Sequence, residues 1–409
     1  RTRDRGLGID NNREIEKGLI MSKGVMDRRS FLQKAGLGAA AGLAFTAGLG
    51  SERSVAEAAA VQKSMTTQDF IDLNIRHMSE LNRLPWFDKD AQGNIRLRQD
   101  AGIVPIVDMH SHVGWAQGLG AKIDMTKRST VKYFYDYEAD QDVLFSQEHP
   151  TKSEGTAITL EILTTLLVTP ARNKTHTAAN LAAEMSLMNY QNICLHPIEI
   201  PGISRHARAT LDAAKLDQRF IPFAGMYPCP WSKKKAEQLQ AQFNEGALGL
   251  KFHPEFQFVA PDSDDAMEMF EWCQARDVLV FAHVGSTGSE LSFMRDWAEP
   301  YRYDRVLSTL PRLRMVFAHT GIKRRAEALA VAKKYADRVW CEVAGQDVYG
   351  IQDVLNQYDG QRVLFGSDWP FLPISVMLAR ALVATEGNPE LRNNLIHNNA
   401  ARLLGLPTV

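Results

Sequence analysis

The chain has 409 residues, of which 45% are hydrophobic and 23% charged, and its formal net charge is −1. This composition is typical of a globular protein with one large domain or two modest ones. The near-zero net charge gives no electrostatic basis for binding nucleic acid or an anionic membrane surface. The four cysteines are scattered and show no Cys-x-x-Cys spacing, so the sequence suggests neither a zinc knuckle nor a disulfide framework. The cysteines are Cys194, Cys229, Cys273 and Cys341, and we expect at least three of these four side chains to be buried as small hydrophobic residues.

The N-terminal segment carries the pattern of an export signal. Residues 27–34 (DRRSFLQK) resemble a twin-arginine signal, and the uncharged, Ala- and Gly-rich run Ala35–Gly50 follows. This run is shorter than the roughly 20 residues of a membrane span, and Ala56-Glu57-Ala58 has the small-x-small pattern of a cleavage site. We therefore predict a twin-arginine signal peptide over 21–58 and a periplasmic or secreted protein with no stable membrane span after cleavage. An uncleaved anchor is the alternative, and residues 1–20 are interpreted as an upstream, unstructured segment.

Residues 59–102 are predicted to form an N-terminal extension. The apolar positions of Thr66–Leu84 recur at helical spacing, which predicts one amphipathic helix, and Asp90–Asn94 has the composition of a turn. From Ile103 onward, strand-like and helix-like runs alternate. The predicted strands are Ile103–His110, Ile193–Pro197, Phe220–Tyr227, Leu248–His253, Val278–His283, Leu313–His319, Val339–Val343 and Arg362–Gly366.

A long insertion, residues 113–191, follows the first predicted strand and is expected to contain two helices, Ala157–Leu167 and Ala178–Tyr190. Helices are also predicted at Arg205–Leu216, Lys233–Asn244, Asp264–Ala275, Glu290–Leu310, Arg325–Tyr335, Ile351–Gln357, Ile374–Thr385 and Pro389–Leu404. Eight strands in strict alternation with helices predict an α/β protein, a (β/α)8 barrel over 103–409, with its active site at the C-terminal strand ends. An open doubly wound sheet is the alternative. Such a sheet would carry a Gly-rich phosphate loop after its first strand, where this chain has His-Ser-His.

Metal-capable side chains stand at the predicted strand ends. His110 and His112 are separated by one residue and point to the same side of a strand. His283, His319 and Asp368 close the fifth, sixth and eighth strands. In a barrel these ends meet at one rim, and a set of imidazoles with one carboxylate favours Zn²⁺ while also suiting Fe²⁺, Mn²⁺ or Co²⁺. Such an ion lowers the pKa of a bound water to about 7 and polarises a carbonyl, and a neighbouring carboxylate such as Asp368 can take the proton of that water.

Six ordered segments together resemble the amidohydrolase superfamily, in particular the branch that includes aminocarboxymuconate semialdehyde decarboxylase. They cover roughly Ile103–Leu406 and are 107–112 (VDMHSH), 249–254 (GLKFHP), 281–283 (FAH), 317–321 (FAHTG), 366–370 (GSDWP) and 399–403 (NAARL). The resemblance implies one divalent metal bound by His110, His112, His283 and Asp368. It also implies that His319 is an acid/base or oxyanion-polarising catalytic residue, alongside Asp368.

Other side chains near the predicted rim are interpreted as substrate-binding. Lys251 and His253 share one strand face and are expected to contact a substrate carboxylate, with structural packing as the alternative; a second metal on a carbamylated Lys251 is not favoured. Arg324 is a candidate for an anionic substrate and Trp115 for the pocket wall. For His283 and His319 a satisfied core histidine is the alternative, and for Asp368 a helix cap. The remaining histidines are interpreted as structural or exposed: His77, His149, His176, His196, His206 and His397.

These observations predict a metal-dependent hydrolase in which activated water attacks an ester, lactone or amide carbonyl. The same residues would serve a non-oxidative decarboxylase or a hydratase of an unsaturated or aromatic carboxylic acid. A non-catalytic metal- or ligand-binding protein on the same fold is the third hypothesis. The expected partners are a small-molecule substrate and the twin-arginine export machinery, with no nucleic acid; a homo-oligomer is compatible with the sequence.

Overall fold

A computed structural model describes residues 65–114, 123–135, 137, 141–146, 171–202, 206–286 and 292–409. The predicted signal over 21–58, the predicted helix Ala157–Leu167, Trp115 and His149 lie outside the described residues. Within these ranges no helix combines the length and the apolar composition that a membrane crossing requires.

Eight short, parallel strands form the centre of the protein. They are β1 (Ile106–Ser111), β2 (Tyr190–Leu195), β3 (Phe220–Pro222, continued by Ala224–Gly225), β4 (Gly249–Phe252), β5 (Leu279–His283), β6 (Met315–Ala318), β7 (Val339–Glu342) and β8 (Val363–Leu364). Each strand pairs in parallel with the next one along the chain.

The first and last strands close this sheet on itself. Met109 N–H donates to the Phe365 carbonyl at 2.9 Å, and Asp368 N–H donates to the His110 carbonyl at 2.8 Å. A parallel bridge also joins Ser111 to Trp369. The predicted (β/α)8 barrel is therefore confirmed, and the alternative of an open sheet is wrong.

The strands are apolar on both faces because both faces are covered. Val107, Met109, Phe281 and Val316 belong to one buried cluster, which also contains Leu404 of the C-terminal helix. A larger cluster lies between the strands and the surrounding helices. As expected, Cys194, Cys273 and Cys341 are buried, whereas Cys229 is partly exposed.

Eight helices of the described chain follow the strands, one after each: Ala178–Leu187, His206–Ala214, Lys233–Asn244, Asp264–Ala275, Pro300–Thr309, Arg325–Lys334, Val348–Gln357 and Ile374–Ala384. Several begin at side-chain caps; Thr177, Ser232 and Asp347 each accept a hydrogen bond from a backbone N–H in the first turn. The chain ends with Pro389–Asn393, a π-helical turn Asn394–Asn398, and Asn399–Leu404.

The predicted single helix Thr66–Leu84 is wrong. The structure has an α-helix Thr67–Asp72 and a 3-10 helix Met78–Arg83, interrupted at Asn74, whose φ is 47°. Asparagine tolerates this left-handed conformation, and both short helices bury apolar side chains, so the hydrophobic spacing continues across the break. An antiparallel hairpin follows, Phe87–Lys89 with Ile95–Leu97, and the predicted turn connects its strands.

Two other helices are shorter than predicted. The predicted helix Glu290–Leu310 is a 3-10 helix Ser292–Ala298 and an α-helix that begins at Pro300, a residue that favours the first turn. The predicted helix Ala178–Tyr190 ends at Leu187, because Asn189 adopts a φ of 58° and the chain then enters β2.

Candidate metal centre

Three side chains converge at the junction of the first and last strands. The Nε2 atoms of His110 and His112 are 3.2 Å apart. Asp368 Oδ1 lies 3.4 Å from the first and 3.1 Å from the second. All three residues are buried. We call this set of three donor atoms the donor triangle.

Strand geometry positions the two histidines, and a left-handed backbone positions the carboxylate. Asp368 has a φ of 59°, an uncommon conformation for a residue with a side chain. Its N–H is bonded to the His110 carbonyl, so the loop after β8 is fixed to β1. The helix that follows has its N-cap at Pro373, which makes the alternative of Asp368 as a helix cap wrong.

Hydrogen bonds on the far side of each ring determine where the imidazole protons lie. His110 Nδ1 is 3.1 Å from a Glu342 carboxylate oxygen, and His112 Nδ1 is 2.7 Å from the His196 carbonyl. The His196 carbonyl only accepts, and both Glu342 oxygens already accept backbone N–H groups, so the ionised form of Glu342 places the proton of each neutral ring on Nδ1 and the lone pair on Nε2. Burial lowers the pKa of both imidazoles well below the usual value, which keeps them neutral. Two lone pairs therefore face the Asp368 carboxylate.

The donor triangle fits a divalent cation. Tetrahedral ligation at the 2.0–2.1 Å typical of zinc requires donor atoms about 3.3 Å apart, and the three measured separations lie close to this value. Lone pairs this close repel one another unless a positive charge lies near them. Two imidazoles and a carboxylate are also a common ligand set of catalytic zinc sites.

Glu342 is a member of the site that the sequence analysis missed. It is the last residue of β7, it is fully buried, and besides His110 it accepts the backbone N–H groups of His319 and Ala344. Burial raises the pKa of this carboxyl to about 8. The rule that selected the histidines, a polar residue at a strand end, would have selected Glu342 as well.

Asp108 was also missed. Its buried carboxylate accepts the N–H of His110 at 2.8 Å and that of Ser367 at 3.0 Å, and so connects β1 to the loop that carries Asp368. Burial raises its pKa to about 7. A single acidic residue within an apolar run gives no sequence signal that separates a buried anchor from a bulge or a strand end.

Lys251 provides a positive charge beside the donor triangle. Its Nζ is 3.1 Å from His110 Nε2 and lies 4.8 Å from the centre of the Phe281 ring. Burial lowers the pKa of this amine to about 8, while the carboxylates of Asp368 and Glu342 act in the opposite direction. The side chain points into the barrel, as its alternation along β4 predicts.

His319 also borders the site. The His319 Nδ1 is 3.1 Å from the Ala344 carbonyl, and the Gln346 side-chain N–H donates to the His319 carbonyl at 2.7 Å. The His319 ring centre is 4.9 Å from that of His110. One donor atom each of His319, His110 and Asp368 lie within 4.8 Å of one another. Burial lowers the pKa of His319 to about 4. Because Nδ1 donates to a carbonyl, Nε2 of the neutral ring is a proton acceptor.

His283 and His253 form a second, adjacent group. Their rings stack with centres 4.0 Å apart and planes 13° apart. His283 Nε2 lies 3.5 Å from a carboxylate oxygen of Glu255, a buried residue in the turn after β4. The His283 ring centre is 4.7 Å from that of His319. The His319 ring thus contacts both the His283 ring and the His110 ring. The sequence analysis grouped His283 with the residues of the donor triangle, but its ring nitrogens are not part of that set of three atoms.

The other residues from the sequence analysis have different positions. Arg324 is half-exposed, and its guanidinium is bonded to Glu299 and Glu327 on the outside of the barrel, so the structure does not bring it to the site. Trp115 is outside the described residues. Four further histidines are buried and bonded to backbone carbonyls: His176, His196, His206 and His397. His77 is partly buried at the start of the 3-10 helix Met78–Arg83.

An apolar wall borders the donor triangle on the side of His112. The Phe371 ring lies edge-on to the His112 ring at 5.9 Å and stacks on Phe134 at 4.8 Å. Phe134 belongs to a small buried cluster with Ile198 and Ile200, and the side chains of Tyr135, Phe256 and Phe371 pack against it. The site is therefore bordered by apolar and aromatic side chains next to His112.

Comparison with known proteins identifies the family. The family model described as "Amidohydrolase" (Amidohydro_2) matches residues 107–406, which include every strand of the barrel except the first residue of β1. No curated protein matches the chain.

Solved structures share the fold at low sequence identity. An uncharacterised TIM-barrel protein from Bordetella bronchiseptica has 15% identity and a TM-score of 0.54, covering 74% of this chain and 99% of its own. A 5-carboxyvanillate decarboxylase from Sphingomonas paucimobilis has 12% identity and a TM-score of 0.51, covering 74% and 100%. A 2,6-dihydroxybenzoate decarboxylase complexed with 2,6-dihydroxybenzoate has 13% identity and a TM-score of 0.50, covering 74% and 100%. At these low identities the likeness shows a shared fold and nothing more.

Proposed function

The chain belongs to the amidohydrolase family, whose members are metal-dependent enzymes, and from this we propose that it hydrolyses ester, lactone or amide bonds with the help of a divalent metal. The observation that carries this proposal is the donor triangle, in which two neutral imidazoles and a carboxylate direct three lone pairs at one point. His110, His112 and Asp368 would hold a cation there, which would supply a nucleophile at neutral pH and polarise a carbonyl oxygen. We propose Zn²⁺, for which this ligand set is common.

The surrounding side chains are suited to handle the proton and the charge. Asp368 can accept the proton of the attacking water and return it to the leaving oxygen or nitrogen, so the proton balance of hydrolysis is kept. His319 Nε2 is a second acceptor nearby, and it becomes a donor once it has gained a proton. The Lys251 ammonium lies beside the donor triangle, where it would stabilise negative charge that develops on the substrate.

The test uses the mature protein, stripped of metal and reloaded with zinc, against a panel of aryl esters, lactones and amides. We expect hydrolysis that depends on added metal and falls at least about 100-fold in kcat for Asp368→Asn, since the variant loses a ligand and a proton acceptor together. Glu327→Gln, a change on the exposed face, is the matched control and should retain activity. Metal-independent hydrolysis, or full activity of Asp368→Asn, would contradict the proposal.

The apolar wall favours a second candidate, a non-oxidative decarboxylase of an aromatic carboxylic acid. The stacked rings of Phe371 and Phe134 give the site an aromatic border next to His112, and Lys251 offers a cation for a carboxylate. Two of the solved structures with this fold are decarboxylases of such acids. Here a protonated Asp368 or His319 would deliver a proton to the ring carbon as CO₂ leaves. Release of one CO₂ per product from hydroxybenzoates, without hydrolysis of the ester panel, would decide for this candidate.

We also propose that the protein is exported by the twin-arginine route. The support is the segment Asp27–Lys34 with the short apolar run behind it. This route carries folded proteins, so a metal could be inserted before transport.

A further inference from the structure

The backbone that carries His319 has an unusual conformation. His319, Thr320 and Ile322 have φ values of 61°, 43° and 48°. This left-handed region is uncommon for residues with side chains, and β-branched residues such as Thr320 and Ile322 adopt it rarely. Such a backbone persists only where the surrounding contacts fix it. The contacts around His319 therefore determine where its ring lies.

The end of β7 and the loop after it hold His319 at three points. The Glu342 carboxylate accepts the His319 N–H at 2.9 Å, and the Ala344 carbonyl lies 3.1 Å from the ring Nδ1. The third contact belongs to Gln346, whose Nε2 donates to the His319 carbonyl at 2.7 Å. Gln346 is fully buried, and the sequence analysis did not select it.

The side-chain amide of Gln346 fits in one orientation. Its Oε1 accepts a hydrogen bond from Arg325 at 2.9 Å, while its Nε2 donates to His319. A guanidinium only donates and a carbonyl only accepts, so a rotated amide would place two donors together at one end and two acceptors at the other. Arg325 is itself held by Asp353 at 2.7 Å. The donor of Gln346 is therefore directed at His319 from a fixed position.

Arg380 connects Gln346 to the insertion that follows β1. It is a fully buried residue of the helix after β8, and its Nη1 donates to the Gln346 carbonyl at 3.2 Å. Its Nε and Nη2 donate to the carbonyls of Val143 and Ser146, both in the insertion, at 2.8 and 3.1 Å. One guanidinium thus binds the loop beside His319 and a segment of the insertion at the same time.

We propose that Gln346 and Arg380 are positioning residues for His319, and that through them the insertion sets the orientation of the His319 ring. This inference rests on the proposed function, in which His319 Nε2 handles a proton. Proton transfer requires hydrogen-bond reach, so a ring that turns away from the donor triangle transfers protons poorly. The bonds of Gln346 and Arg380 described above do not involve the donor triangle, and we expect metal binding to persist without them.

The test is Gln346→Glu, measured with the substrate that the metal-loaded protein turns over. The variant keeps the shape of the side chain but opposes an oxygen to the His319 carbonyl. We expect kcat to fall about 10- to 100-fold, with KM and metal content unchanged. Arg380→Lys keeps the charge but loses the fork, and it should show a smaller loss of kcat. Gln238→Glu, on the exposed face of the helix Lys233–Asn244, is the matched control and should retain activity.

A double-mutant cycle separates positioning from a merely structural role. In a His319→Ala background, Gln346→Glu should lower kcat no further, because its effect passes through the missing ring. An equal loss in both backgrounds, or no loss in Gln346→Glu alone, would overturn the proposal.

Nitrogen NMR of protein labelled with ¹⁵N-histidine gives a readout that needs no activity. The ring signal of His319, identified by its absence in His319→Ala, should shift in Gln346→Glu and in Arg380→Lys but not in Gln238→Glu. An unshifted signal would overturn the proposal. If the protein turns over no substrate, the proposed function fails while this signal still decides the positioning. If Gln346→Glu does not fold, Arg380→Lys decides both measurements.

Discussion

The chemistry of the site depends on which nitrogen of each histidine carries a proton. The Nδ1 atoms of His112 and His319 each face a backbone carbonyl, and that of His110 faces the Glu342 carboxyl, whose ionised form accepts a hydrogen bond. This common arrangement keeps all three Nε2 lone pairs turned toward the space beside Asp368. The structure thus prepares ligands and proton acceptors before an ion or a substrate arrives.

Glu342 is the residue whose removal tests this arrangement most cleanly. Glu342→Gln keeps the shape of the side chain but replaces one acceptor oxygen by a donor, and two backbone N–H groups and His110 depend on these oxygens. We expect metal affinity to fall about 10- to 100-fold, the usual effect of losing a partner behind a ligand. Competition with a chromophoric chelator measures this. An unchanged affinity in Glu342→Gln, with Glu327→Gln as the control, would contradict the role.

Glu184 predicts a pH dependence of stability. Tyr133 donates to this carboxyl at 2.7 Å, and burial raises its pKa from 4.5 to about 7. Between these two values the folded state binds more protons than the unfolded state, so the free energy of unfolding falls as pH rises from about 4.5 to 7, and the penalty is constant above that. Below pH 4.5 the group contributes no difference.

Glu184→Gln should remove this penalty. We expect the variant and the unmodified protein to be equally stable at pH 4.5 apart from a constant offset, and the variant to gain on the order of 1–2 kcal/mol by pH 8. Urea unfolding at several pH values measures the difference. A difference that does not change with pH would show that the Glu184 carboxyl titrates normally.

Among the strands, the close approach of β7, β8 and β1 is what places Glu342 against His110. Gly366, just after β8, makes this approach feasible, because a Cβ there would collide with the Glu342 carboxylate and with His110 Cβ at 2.8 Å. The packing of these strand ends therefore determines the positions of the side chains in the site. A substitution that alters the contacts between these strands will therefore also alter the geometry of the donor triangle.

Gly366→Ala should therefore weaken metal binding and destabilise the fold by about 1–3 kcal/mol, the usual cost of overpacking. Gly360→Ala is the matched control, since a Cβ there would meet only Leu391 Cδ1 at 3.4 Å, an ordinary contact. Thermal unfolding with and without metal measures both effects. Equal behaviour of the two variants would contradict the packing argument.

The barrel was predictable from the sequence because parallel strands that are covered on both faces consist of apolar runs. The ends of three of these strands were marked by His110, His283 and His319. The break at Asn74 was not, since the two short helices pack on the same core and keep one hydrophobic spacing. Closure between β1 and the loop of Asp368 followed from the strand count.

The site was predictable in part. Strand ends identified His110, His112 and Asp368, which the structure brings together. Side-chain rotation and hydrogen bonding are not encoded in residue spacing, so the pairing of His283 with Glu255 was not foreseen. The same rule would have selected Glu342, but only the fold shows that its carboxyl is buried and faces His110.

For the protein as a whole, the predicted export signal should determine where it works. Replacing Arg28 and Arg29 by lysine should leave the protein in the cytoplasm, because the twin-arginine pair is the recognised feature of such signals. Cell fractionation with an antibody against the mature chain measures this. Undiminished export of the double variant would contradict the prediction.

The proposed reaction requires a cation between the first and last strands of the barrel. Crystals grown with Zn²⁺ and measured on both sides of the zinc absorption edge test this directly. We predict an anomalous peak within about 2.2 Å of His110 Nε2, His112 Nε2 and an Asp368 oxygen. An absence of anomalous signal at these three atoms, in crystals that diffract well enough to show their side chains, would contradict the account.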